Sequence, residues 1–293
     1  MRIDVYTPLL LSLLLGAVGP RLARFGTPAA AARALTGAAV LTAGATLWAL
    51  GLLAATLAGE APSLVARAGG RALPEPVPDT VAVLALCLLA VAVGRIVGAV
   101  RTHRATRRTL RRLCEGHPPG TELVVAASPR PRAFAVPGDP GRILVTSAML
   151  AALRPAERRV LLAHERAHLT HRHAFHVHAV TLAAAGNPLL LPVRDAVAYL
   201  VERWADEQAA GAVGDRSTTA RALARAALVA QGADCVLHFA DRAVTRRVAA
   251  LQTTPPRRLR PVAAAILTLG ALAALGAADA TGDLLSLLTG GAL

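Results

Sequence analysis

Four long apolar runs, at residues 5–18, 35–58, 80–100 and 262–278, constrain this chain more than any other feature. Their lengths approach the roughly 20 helical residues that cross a hydrocarbon core about 30 Å thick. The runs are built from Ala, Leu and Val, and the whole chain is 54% apolar with only 3% aromatic residues. Soluble cores are seldom so segregated, so each run is read as a transmembrane helix. The first is short enough for a signal peptide, but Arg2 and Asp4 balance before it and no small-residue cleavage site precedes a polar start. A retained anchor is expected.

Arginine placement then orients the spans. All 32 basic residues are Arg, and they cluster at Arg21, Arg24 and Arg33, from Arg95 to Arg112, and at Arg257, Arg258 and Arg260. Short Arg-rich loops stay on the cytoplasmic side, and the three clusters agree on one topology. It puts both termini outside, together with the segment 59–79 that carries Pro74, Pro76 and Pro78. Residues 1–100 then form a membrane region with helices at about 5–20, 35–58 and 79–100. Residues 101–260 form a cytoplasmic domain, and residues 261–293 hold the fourth span and a short external tail. Arg95 falls near the inner end of the third helix, from which a long side chain can snorkel to the interface. The net charge of +14 is expected to face lipid headgroups rather than nucleic acid, because aromatic residues for base stacking are scarce. Cys87, Cys114 and Cys235 are widely spaced, which indicates neither a disulfide framework nor a cysteine metal site.

The inner region mixes short strands with helices. Residues 122–127 and 142–146 are β-branched runs separated by Pro and Gly clusters, which predicts a short hairpin or small sheet. Pro155 suits the first turn of a helix extending to about residue 185, where Gly186-Asn187-Pro188 ends it. A second helix is predicted over 193–212, stopping near Gly211 and Gly214. The fold class is therefore a mainly α membrane protein, with four transmembrane helices and a cytoplasmic α+β domain.

The chemistry lies on those two helices. In His164-Glu165-Arg166-Ala167-His168 the histidines are one turn apart, so two imidazoles can reach one ion while Glu165 projects beside them. A catalytic zinc site takes three protein ligands and leaves one corner for water. The best third ligand is Glu202 of Glu202-Arg203-Trp204-Ala205-Asp206, which the Gly-Asn-Pro turn can fold back against the histidines. Asp206, one turn on, can accept the other N–H of a ligand histidine. Glu207 competes with Glu202 but points about 100° away from Asp206.

Glu165 is the candidate general base. His171, His173, His176 and His178 crowd the same predicted helix and are read mostly as a solvated or membrane-proximal polar face. His238 or Arg242 is a weak candidate for stabilising an oxyanion, and Trp204 is read as packing. Arg132, Ala133 and Phe134 lie on a candidate edge strand, either for an extended substrate or purely structural.

With these residues in view, positions 122–210 resemble the membrane gluzincin peptidases. That group includes HtpX-like quality-control proteases, proteases of prenylated (CAAX) proteins, and beta-lactam sensor-transducers of the BlaR and MecR type. The resemblance is carried by Pro131-Arg132-Ala133-Phe134-Ala135, Ile143-Leu144-Val145-Thr146-Ser147 and the two motifs above, in the same order and spacing. It implies a zincin-like domain holding one zinc ion per chain through His164, His168 and Glu202, with Glu165 catalytic and Asp206 supporting. Three spans before the site, one after it, and Asn187-Pro188 look like the sensor-transducer branch. Two features depart from it. The family has Asn where Arg132 stands, and 293 residues leave no room for an external penicillin-binding domain, so direct antibiotic sensing is not expected. The implied partners are a protein substrate, such as a cytoplasmic repressor, and the lipid bilayer. Quality-control proteolysis and a catalytically idle zinc-containing receptor are the alternatives.

Overall fold

A computed structural model describes residues 4–57, 77–116, 118, 120–231, 238–254 and 260–288. Most of the segment 59–79, Arg257, Arg258, Cys235 and the last five residues lie outside it. Four helices are long and apolar enough to cross a membrane: Thr7–Phe25, Pro28–Ala55, Asp79–Arg112 and Arg260–Gly282.

The first of these is α1 (Thr7–Leu22), extended by a single 3-10 turn, Ala23–Phe25. A second helix, α2 (Pro28–Ala55), starts cleanly because Pro28 fits its first turn and Thr27 Oγ1 accepts the Ala30 N–H. Helix α3 (Asp79–Arg112) outruns the apolar stretch and carries Leu110 down to the sheet described below.

Three short strands follow: β1 (Leu123–Ala126), β2 (Ala133–Val136) and β3 (Arg142–Thr146). The two strands predicted from sequence do not form a hairpin. β1 pairs parallel with the central β3, and β2 pairs antiparallel on its other side, giving the order β1-β3-β2. One face of the sheet packs Val124, Val136 and Leu144 on Leu110 and Cys114, and the other packs Ile143 and Val145 on Met149 and Leu153. Burial on both faces explains the continuous apolar run of β3, and each buried aliphatic side chain contributes about 1.5–3 kcal/mol.

Helices α4 (Ser147–Ala152), α5 (Pro155–Thr170), α6 (His173–Gly186) and α7 (Leu191–Val213) come next, with a 3-10 turn, Pro188–Leu190, between the last two. The single helix expected over 155–185 is broken. Arg172 adopts a left-handed conformation (φ 50°), which ends α5 and redirects the chain into α6. Helices α8 (Arg216–Gln231) and α9 (His238–Leu251) then cover the site, and α10 (Arg260–Leu288) returns to lie along α2 and α1. That return is close: a Cβ on Gly270 would sit 2.8 Å from Ala38 Cα. Small residues permit such backbone approach, the usual basis of helix packing where lipid removes the hydrophobic drive.

The turn between α6 and α7 is wedged among the long helices. Leu15, Leu35, Val180, Leu190, Val193 and Ile266 share one apolar core that joins α1, α2, α6, α7 and α10. Asn187 Nδ2 donates to Ser12 Oγ at 2.7 Å and to Thr46 Oγ1 at 3.0 Å, and Gly16 leaves no room for a Cβ against the Leu189 carbonyl. Arg95 Nε donates to the Ala185 carbonyl at 3.0 Å, so this side chain caps the end of α6 instead of only reaching for the interface.

Candidate metal centre

Helix α5 presents the histidine motif. Its start is fixed by Pro155 and by the Arg154 N–H, which donates to Glu157 Oε2 at 2.8 Å. Arg166, on the outer face, holds both oxygens of Glu122 at 2.6 and 3.1 Å and so ties α5 to the sheet. On the inner face His164 Nε2 and His168 Nε2 lie 3.1 Å apart.

Helix α7 closes the group. Glu202 Oε2 is 3.5 Å from His164 Nε2, and Glu202 Oε1 is 3.5 Å from His168 Nε2. With one oxygen of Glu202 as donor, the three ligand atoms all lie within 4.8 Å of one another, close enough to converge on a tetrahedral zinc ion, whose ligands at about 2.0–2.1 Å stand about 3.3 Å apart. Glu207, the rival ligand, is turned away and bound to Arg203 at 3.1 Å and to Arg216. Asp206 Oδ1 lies 3.2 Å from His164 Nδ1, which places the ring proton on that nitrogen and leaves the Nε2 lone pair facing the centre.

Arg247 of α9 completes the arrangement, and sequence spacing alone does not single it out. Its Nε and Nη2 each donate to one oxygen of Asp206 at 2.8 Å, and Nη1 reaches Glu202 Oε2 at 3.0 Å. Arg242, the arginine considered from sequence, is exposed and does not line the cleft, while the side chain of His238 lies outside the described residues.

The electrostatics follow from this crowding. Burial opposes charge on His164, but hydrogen bonds to Asp206 and Glu202 outweigh it and push the ring up to about 10. Burial and the charge on His164 push His168 down to about 4. Burial would raise both carboxyls, yet His164 and Arg247 hold Glu202 at about 2, and Arg247 and His164 hold Asp206 at about 2. Carboxylates that favour a proton on His164 equally favour a cation between the rings. The donor set therefore fits zinc in charge as well as in distance.

Glu165 is 8% exposed, and burial pushes its carboxyl up, partly offset by His164 and by a hydrogen bond from the Ala135 backbone. It lines a cleft of about 450 Å³ together with His164, Glu202, Asp206, Arg247, the strand residues Ala133 and Phe134, and Arg132 just before them. β2 is an edge strand as expected, since only β3 pairs with it among the described residues. Thr146 N–H donates to the Arg132 carbonyl at 2.9 Å, so alternation turns the peptide groups of Ala133 and Ala135 away from β3, on the side where the Ala135 N–H meets Glu165.

Of His171, His173, His176 and His178, only His173 is buried, and the other three are half-buried. The break at Arg172 folds His173 inward, where it is 1% exposed and its Nδ1 stands 3.0 Å from His168 Nδ1. Trp204, 3% exposed, stacks on His171 at 4.7 Å and lies 4.6 Å from His173, with Arg33 of α2 over its ring at 4.5 Å. His176 Nδ1 meets Thr36 Oγ1 at 3.3 Å, and His178 stacks on His103 at 3.6 Å. Trp204 is thus packing, as its composition suggests, but packing that joins a membrane-length helix to the site. A left-handed Arg gives no sequence signal, so the inward turn of His173 could not be read beforehand.

Two histidines and a glutamate thus form a group that could hold a metal ion, with the buried Glu165 and the edge strand β2 beside it. Residues 99–191 match the model of Peptidase family M48. The match to this M48 model covers the end of α3, the sheet, and both histidines with Glu165, and it supports a metallopeptidase. It stops short of Glu202 and Asp206, whose place beside the M48-like segment rests on geometry. No curated protein and no solved structure matches the chain.

Proposed function

We propose that this protein is a multi-pass cell-membrane zinc metalloendopeptidase that hydrolyses a protein substrate at the cytoplasmic face, with both termini outside. The observation that carries the reading is the convergence of His164, His168 and Glu202 on one centre, with Glu165 beside it in the same cleft. Four helices of membrane-spanning length support the location, and the arginine clusters support its orientation.

His164, His168 and Glu202 would hold one zinc ion per chain. When bound, it supplies Lewis acidity that polarises the scissile carbonyl and acidifies a water. Glu165 accepts the proton of the attacking water and returns it to the leaving amine, and its buried setting raises the proton affinity such a group needs. Asp206 holds the His164 tautomer, while Arg247 spans Asp206 and Glu202 and keeps both carboxylates aimed. Ala133 and its neighbours Arg132 and Phe134 receive the substrate as an added strand, a role supported by the edge position of β2 beside Glu165 among the described residues.

Comparison of protein N-termini in cells carrying the native chain or Glu165→Gln tests this. New N-termini present only with the native chain name the substrate. A single cleaved regulator, such as a transcriptional repressor, indicates signalling, and many misfolded membrane proteins indicate quality control. Identical sets of N-termini under several stresses would sink the peptidase reading in favour of a zinc-containing receptor.

A further inference from the structure

One wall of the cleft belongs to neither the metal centre nor the edge strand. Helix α8 turns Ala222, Ala226 and Ala230, each one turn from the next, into the cleft, with Leu223 and Ala227 beside them. Leu161 of α5 faces the same space. The wall is held in place. Arg216 at its first turn binds the Leu251 carbonyl at 3.0 Å and pairs with Glu207, and Arg225 reaches Glu157 at 3.4 Å.

The pleat of β2 says what this space receives. Ala133 packs with Ile143 and Val145 on the sheet face that meets Ala226 and Ala230. A peptide added to the edge of β2 sends alternate side chains to opposite faces, so those on the Ala133 side run under α8. The ionisable groups of the cleft are Arg132, His164, Glu165, Glu202, Asp206 and Arg247, and α8 contributes none to it. A charged substrate side chain there would lose its hydration against alanine and leucine, at a penalty of about 1–3 kcal/mol even for a neutral polar group. The short alanine side chains leave room in the cleft that Glu165 also lines.

We propose that α8 is the specificity helix, selecting substrates with a large apolar side chain next to the scissile bond, and that Ala227 and Leu223 set the size accepted. This rests on the peptidase reading above. Ala227 belongs to none of the buried apolar clusters, so enlarging it fills the cleft without displacing packed neighbours.

The test uses full-length, zinc-loaded protein in lipid nanodiscs with a peptide library varied around one cleaved bond. The native chain should favour Phe, Leu or Met over Asp, Lys or Gly at one position flanking that bond. Ala227→Leu should lower kcat/KM for Phe there at least about 10-fold and leave Ala almost unchanged, while Leu223→Ala should raise acceptance of Trp. Glu165→Gln protein should bind the same peptides in the same order, which reads the pocket without turnover. Cleavage that favours charged residues, or an unchanged ranking in both α8 variants, overturns the specificity proposal alone. Absence of cleavage by the native chain overturns the peptidase reading, and if Glu165→Gln also binds without preference the pocket proposal falls independently.

Discussion

The two halves of the metal centre are built on different principles. On α5, His164, Glu165 and His168 are arranged by helix periodicity alone, and neighbouring turns of one element suffice to aim them. On the other side, Glu202, Asp206 and Arg247 come from α7 and α9, and their geometry exists only because those helices pack against α5. The first half is local and the second is collective. Substitutions should therefore act differently on each, losing the ion alone on α5 and disturbing the surrounding structure on α7 and α9.

Removing a ligand breaks the comparison most sharply. His168→Ala and Glu202→Ala should each leave the dialysed protein with almost no zinc by elemental analysis, the former with nearly native thermal unfolding of the metal-free chain. Arg247→Ala should do the reverse, costing about 1–3 kcal/mol, because it removes two hydrogen bonds from Asp206, which is 1% exposed, and leaves it His164 alone. Denaturation would read this, and the double variant with Asp206→Ala should be less damaged than the sum of its parts.

His173 tests whether the break after α5 matters to the ion. His173→Ala removes the partner of His168 Nδ1 and should weaken zinc about 10–100-fold in a chelator competition, less than loss of a ligand. The smallest effect is expected far from the centre. Asn187→Ala removes bonds to Ser12 and Thr46 and should destabilise the protein by about 1 kcal/mol in lipid, leaving zinc affinity unchanged.

The local half was legible in the sequence, and so were the four long apolar helices, β3 and the span of α7, because each is written in spacing or composition within one element. Glu202 and Asp206 were legible too, through a turn whose Gly, Asn and Pro announce the reversal. What was not legible needs contacts between distant elements. The parallel pairing of β1 with β3 depends on β2 entering on the far side, and nothing in the strand sequences fixes that order. Arg247 is one of several arginines on α9, distinguished only by facing Asp206. His173 departs from the polar face read for most of its neighbours because the left-handed Arg172 breaks the helix expected over 155–185 and redirects it.

The central claim is that Glu165 performs chemistry at an ion it does not hold. Purified native chain and Glu165→Gln, reconstituted in lipid and loaded with zinc, should each contain one zinc per chain, and only the native chain should cut a peptide substrate. A Glu165→Gln protein that cuts at the native rate, or that cannot retain zinc, would contradict this account.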